Sequence, residues 1–234
     1  MQMNRFSFWL ITIVLLSILL SVLSLFIIFF SKEYLLLMAV ILTFFAFSGF
    51  ILGLLIFYDY YDELSLTDLA LASLFVAFIF STNYISMILP SIIYYVIPAG
   101  AGFTFYLPAS IFYGTFKSLS SAKSSSFIVL IGYGIVSEIF FPAIFWFPYF
   151  LAWSGFVESH SHVTSFDVKK QRYLHGFIFG AYGAGLAVLY MLVAWGLYKP
   201  LFIALPAVII DGILSAIGFE IGFNIGKQIK NVQI

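Results

Sequence analysis

The chain of 234 residues has no cysteine, and only 9% of its residues carry a charge. Without cysteine there are no disulfides, no thiolate metal ligands and no thiol nucleophile. A soluble domain is roughly one quarter charged, so the shortage of charge argues against one. Ten basic residues balance ten acidic ones, and a formal net charge of zero gives no footprint for nucleic acid. No Gly-x-Ser-x-Gly, no His-Glu-x-x-His and no phosphate-binding loop is present. No arginine-rich voltage-sensing helix is present either. These absences argue against an enzyme and against nucleotide hydrolysis by the chain itself.

What is there is grease. Hydrophobic residues make up 63% of the chain, aromatics 21%, and the mean hydropathy is +1.13. This composition predicts an all-α, polytopic transmembrane helical bundle in the cell membrane. With about 20 residues per crossing, it has seven or eight segments, several broken by proline. Ser7–Phe30 and Tyr34–Tyr58 form an N-terminal pair, and the run behind Arg5 is too long for a cleaved signal peptide. Asp59 to Glu63 is an acidic linker, so residues 1–63 form one unit and residues 64–234 a six-segment bundle. The first of those six starts near Leu66 with Thr67 or Asp68 as N-cap. A short piece, Met87–Ile97, and a turn, Pro98–Gly102, follow. Phe103–Phe116 is a helix bent at Pro108, and Lys117–Ser126 is a serine-rich loop. Phe127–Trp153 is a long segment interrupted at Pro142 and Pro148. Ser154–Tyr173 is a polar loop with solvated His160 and His162, and His175 lies just beyond. Gly176–Tyr198 and Leu201–Gly226 close the bundle. Counting basic residues on the two sides, six against four, places both termini in the cytoplasm.

Ionisable residues at membrane depth are costly and mark function. Asp211 and Glu220 lie in the last apolar stretch, and Glu138 lies one turn before Pro142. Proline has no N–H, so Pro142 leaves the Glu138 carbonyl without its helical partner. Gly218, Gly222 and Gly226 recur every fourth residue beside Asp211, a spacing that lets a neighbouring helix approach closely. Gly176 and Gly180 repeat it. Glu220 projects from the opposite side and needs its own partner, water or the headgroups. No histidine spacing matches a metal motif or a haem site, so no metal and no cofactor are expected.

From about Leu64 to Lys230 the chain resembles the substrate-binding S components of energy-coupling-factor ABC transporters, nearest the hydroxymethylpyrimidine or thiamine type. The matching features are Leu66-Thr67-Asp68-Leu69-Ala70-Leu71-Ala72-Ser73, which opens a small-residue helix, and Ile210 to Gly222 running into Gly226-Lys227. The six-segment layout with one short helix also fits. The resemblance implies capture of a small vitamin-like solute and docking onto a membrane coupling protein that carries two ATPases. The docking motif of that family is Ala-x-x-x-Ala, matched here by Ser73 and Ala77 with Ala70 on the same stripe. Ser73 departs from the motif, and the two helices before Leu64 depart from the family layout. On this reading Glu138 and Asp211 supply hydrogen bonds or a counter-charge to a cationic solute. Asn83, Tyr113, Trp146 and Trp195 supply polar or stacking contacts. Two other readings stay open: a structural membrane subunit of a respiratory or oxidase-type complex, and a proton-coupled carrier using Glu138, Asp211 and Glu220 as a relay.

Overall fold

The computed structural model describes residues 48, 51–53, 55–56, 58–60, 64–88, 102–120, 122, 124–140, 146–195 and 201–232. The first predicted crossing, most of the second, the Met87–Ile97 piece beyond Ile88 and Pro142 lie outside them. Among the described residues the chain is helical, with no strand.

Helix α1, Leu66–Ile88, starts at a capping box. Ser65 Oγ accepts the Asp68 N–H at 3.1 Å, and Asp68 Oδ2 accepts the Ser65 N–H at 3.0 Å. The N-cap is therefore Ser65, not Thr67 or Asp68, because Asp68 is needed at the third helical position to return the bond. Asp68 Oδ1 also accepts the Ser120 hydroxyl at 2.6 Å, which fastens the start of α1 to the end of the next helix.

That helix, α2, spans Leu107–Leu119 and continues from a π-turn at Gly102–Tyr106. In place of the predicted bend the chain carries this π-turn, and Pro108 follows it in the first turn of α2. The predicted segment Phe127–Trp153 is two helices, α3 at Ser125–Phe140 and α4 at Trp146–Val163. Helix α5 spans Lys169–Trp195, and α6 spans Leu201–Val232, longer than predicted. The polar loop predicted at Ser154–Tyr173 shrinks to Thr164–Val168, because α4 runs on through His162 and α5 begins at Lys169. Among the described residues two stretches are long and apolar enough to cross a bilayer, Leu66–Tyr84 and Ala204–Val232.

Helix α6 packs between α2 and α5 and also touches the π-turn. Glycine makes the approach possible. A methyl group on Gly222 would collide with the carbonyl of Ile111 on α2. One on Gly180 of α5 would come within 2.7 Å of the Asp211 carbonyl. Gly218 and Gly226 continue the seam against Ser110 and Ser118 of α2, and Gly176 continues the other against Ala216 and Phe219. Away from both seams, Ile209, Ile213, Ile217, Ile221, Ile225 and Ile229 form an exposed apolar row. The core is aromatic. Phe75, Tyr113, Phe116, Tyr133, Phe150, Trp153, Phe179 and Phe219 are all buried where the helices meet. Before α1, in the short helix Ile51–Tyr60, a methyl group on Gly53 would collide with the Phe127 ring of α3 and come within 3.2 Å of the Gly155 Cα on α4.

Candidate functional site

Two clusters of buried polar groups lie along the bundle, and they differ in composition. The first gathers around Asp211, whose side chain is buried on α6. Tyr106 from the π-turn is close enough to feel its charge and hydrogen-bonds Tyr149 of α4. Tyr133 of α3 neighbours Tyr149 and reaches Asn83 of α1. Trp153, one turn after Tyr149 on α4, holds these rings together. Its ring centroid is 5.7 Å from Tyr149 and 6.5 Å from both Tyr106 and Tyr133. The Trp153 indole N–H donates to the Phe179 carbonyl at 3.0 Å. One carboxylate, three phenols, an indole and an amide thus meet from five different elements.

Two of the predicted substrate residues, Asp211 and Asn83, belong to this cluster. The side chains of Glu138, Trp146 and Trp195 lie outside the described residues. Tyr113 does not belong to it. Its ring lies against Phe179 at 4.7 Å and beside Phe219, two turns along α6 from Asp211, and its hydroxyl is engaged in the second cluster. Tyr106, Tyr133, Tyr149 and Trp153 were not singled out from sequence. The available signal was Tyr149 and Trp153 four apart on one helix face, with Pro148 just before them.

The second cluster gathers the polar ends of α2 to α6. The predicted serine-rich loop is a buried junction: Ser124, Ser125 and Ser126 are enclosed, and Lys117 is only 7% exposed. Lys117 donates to Ser125 Oγ at 3.0 Å and lies 5.3 Å from the Phe166 ring. Glu158 of α4 is fully buried and accepts the Phe127 N–H at 2.8 Å, so its charge sits at the positive end of α3. The histidines are not solvated. His175 is fully enclosed and His160 half-buried, with 2.8 Å between their Nδ1 atoms.

Glu220 also finds a protein partner rather than headgroups. Arg172 grips it with both arms, Nε to Oε2 at 2.7 Å and Nη2 to Oε1 at 2.9 Å. The remaining Arg172 nitrogen donates to the Phe166 carbonyl at 2.8 Å, which closes the short α4–α5 connection onto α6. The guanidinium also covers the Phe223 ring at 4.8 Å. Hydrogen bonding to Glu220 raises the Arg172 pKa above its ordinary value, so this pair keeps its charges. On α1, Ala70, Ser73 and Ala77 form an exposed stripe, with the Ser73 hydroxyl turned back to the Leu69 carbonyl at 3.0 Å.

In comparisons with known proteins, no family model, no curated protein and no solved structure matches the chain.

Proposed function

We propose that the chain is a membrane-embedded substrate-binding subunit for uptake of a small vitamin-like solute. The solute is of the thiamine or pyrimidine-precursor class, and the subunit works with a separate coupling protein and its ATPases. The observation that carries this reading is Asp211, a buried carboxylate beside the Tyr106 phenol, whose ring adjoins Trp153 and, through it, Tyr133 and Tyr149 of separate helices. A flat cation satisfies both at once: its charge is held by the acid and its face by the rings. The composition and the two long apolar helices support a multi-pass position in the cell membrane, with both termini cytoplasmic as part of the proposal. The exposed Ala70–Ser73–Ala77 stripe is a face on which a coupling protein can approach closely.

The test is direct binding. Purified full-length protein should retain labelled thiamine or a pyrimidine precursor, and Asp211→Asn should weaken retention roughly tenfold to a hundredfold. Equal retention by both proteins, or none by either, rejects the reading. Purification from native membranes should bring down a coupling protein and two ATPases. Cytochromes in their place favour the structural-subunit reading instead.

A further inference from the structure

The second cluster holds a hydrogen-bonded chain from His160 through His175 and Tyr113 to Ser126, and its proton positions follow from its heavy atoms. Thr164 Oγ1 donates to the His160 carbonyl at 2.6 Å, so at 3.1 Å from His160 Nδ1 it can only accept. His160 Nδ1 therefore carries the hydrogen, shared between Thr164 Oγ1 and the nearer His175 Nδ1, 2.8 Å away. The two rings are 5.1 Å apart with planes 21° from parallel. That separation is one N–N contact plus two ring radii, so the imidazoles meet edge to edge, with the N–H aimed along the partner's lone pair. His175 Nδ1 accepts, so its hydrogen is on Nε2, which faces Tyr113 Oη at 3.1 Å. Tyr113 in turn donates to Ser126 Oγ at 2.7 Å. The Ser126 hydroxyl has its own hydrogen to give, and the Glu158 carboxylate lies next to it, because Glu158 accepts the N–H of the following residue, Phe127, at 2.8 Å. Glu158 Oε2 is taken by the Phe127 N–H, whereas Oε1 is buried with no hydrogen-bond partner.

We propose that His160, His175, Tyr113 and Ser126 form a proton relay that carries a proton from half-buried His160 to buried Glu158. The proton enters at His160 Nε2, the ring nitrogen left free by the bonds above. The Nδ1 hydrogen of His160 passes to His175 Nδ1, and the Nε2 hydrogen of His175 passes to Tyr113. The Tyr113 hydrogen passes to Ser126, and that of Ser126 to Glu158. One proton enters, one is delivered, and every group between gives one and receives one.

The charged groups around the chain act on its two ends. Lys117 of α2 disfavours a charge on His175 and favours the carboxylate form of Glu158, the form that can receive a proton. Arg172 of α5 and Glu220 of α6 neutralise one another nearby. Phe166 and Phe219 wall off the remaining sides of His175, each ring 5.2 Å away. A protonated Glu158 loses its attraction for Lys117 and for the N-terminus of α3, so proton delivery loosens the junction of α2, α3 and α4. The relay is independent of the ligand reading, and its test needs no solute.

The experiment is a pH jump on the purified full-length protein, from about pH 8 to about pH 5, followed by infrared spectroscopy. A protonated-carboxyl band should appear and be missing in Glu158→Gln, which can still accept the Phe127 N–H. In Tyr113→Phe, which keeps the ring against Phe179, the band should reach the same amplitude roughly a hundredfold more slowly. His160→Gln should show the same slowing. An unchanged rate in both variants, or no Glu158 band in the native protein, overturns the proposal.

Discussion

The two buried polar clusters solve one problem in different ways. At the Asp211 end, the acid lies by the Tyr106 phenol, which leads into further phenols and an indole, groups that are amphipathic and hydrogen-bond through a single atom. At the other end, acids are matched to fixed donors: Glu220 to both arms of Arg172, Glu158 to the backbone of α3, and Asp68 to Ser65 and Ser120. The first arrangement can exchange its internal contacts for a ligand at little cost. The second cannot lose a member without stranding a charge, because a buried charge without its partner is far more costly than the pair. On the proposed reading aromatic enclosure serves recognition, while one ion pair and fixed donors hold the helix ends.

This contrast ranks the expected effects of substitution. The largest should come from Arg172→Ala, which leaves Glu220 buried and alone and should cost about 3 kcal/mol in thermal or denaturant unfolding. Removing both charges, as Arg172→Met with Glu220→Leu, should recover most of that loss, and failure to recover would show that the pair is not the source. Next comes Gly222→Ala on the seam shared by both ends. The added methyl has no room against Ile111, so a loss of roughly 2 kcal/mol is expected, with both clusters disturbed together. Asp68→Ala removes the capping box and the tie to Ser120, and should cost about 1 kcal/mol, read as earlier fraying of α1 in hydrogen exchange. The smallest stability change should come from Asp211→Asn, within about 0.5 kcal/mol if the site is built for exchange. A loss there as large as that of Arg172→Ala would erase the distinction between the two ends.

The sequence carries the small-residue seams plainly. Gly218, Gly222 and Gly226 are spaced for close helix contact, and each lies against α2. Asp211 is also legible as an acid too deep in an apolar run to be incidental. The serine-rich stretch and the histidine segment read as solvated because their composition is that of loops. They are buried because partners far away in the chain complete them: Ser120 meets Asp68, Tyr113 meets His175, and Arg172 meets Glu220. Periodicity records which face of a helix is apolar, but not which polar group on another helix will face it. The aromatic cluster stayed hidden for a related reason. With so many Phe and Tyr in the chain, no local pattern marks which of them converge on one acid.

The most direct test of the central claim is the fluorescence of Trp153 titrated with thiamine, read as the difference between the native protein and Trp153→Phe. A saturable change that is present in the native protein, and lost when Asp211→Asn is introduced into it, is the predicted result. A change that survives Asp211→Asn undiminished, or no change at any ligand concentration, would contradict a binding site built on that carboxylate and its rings.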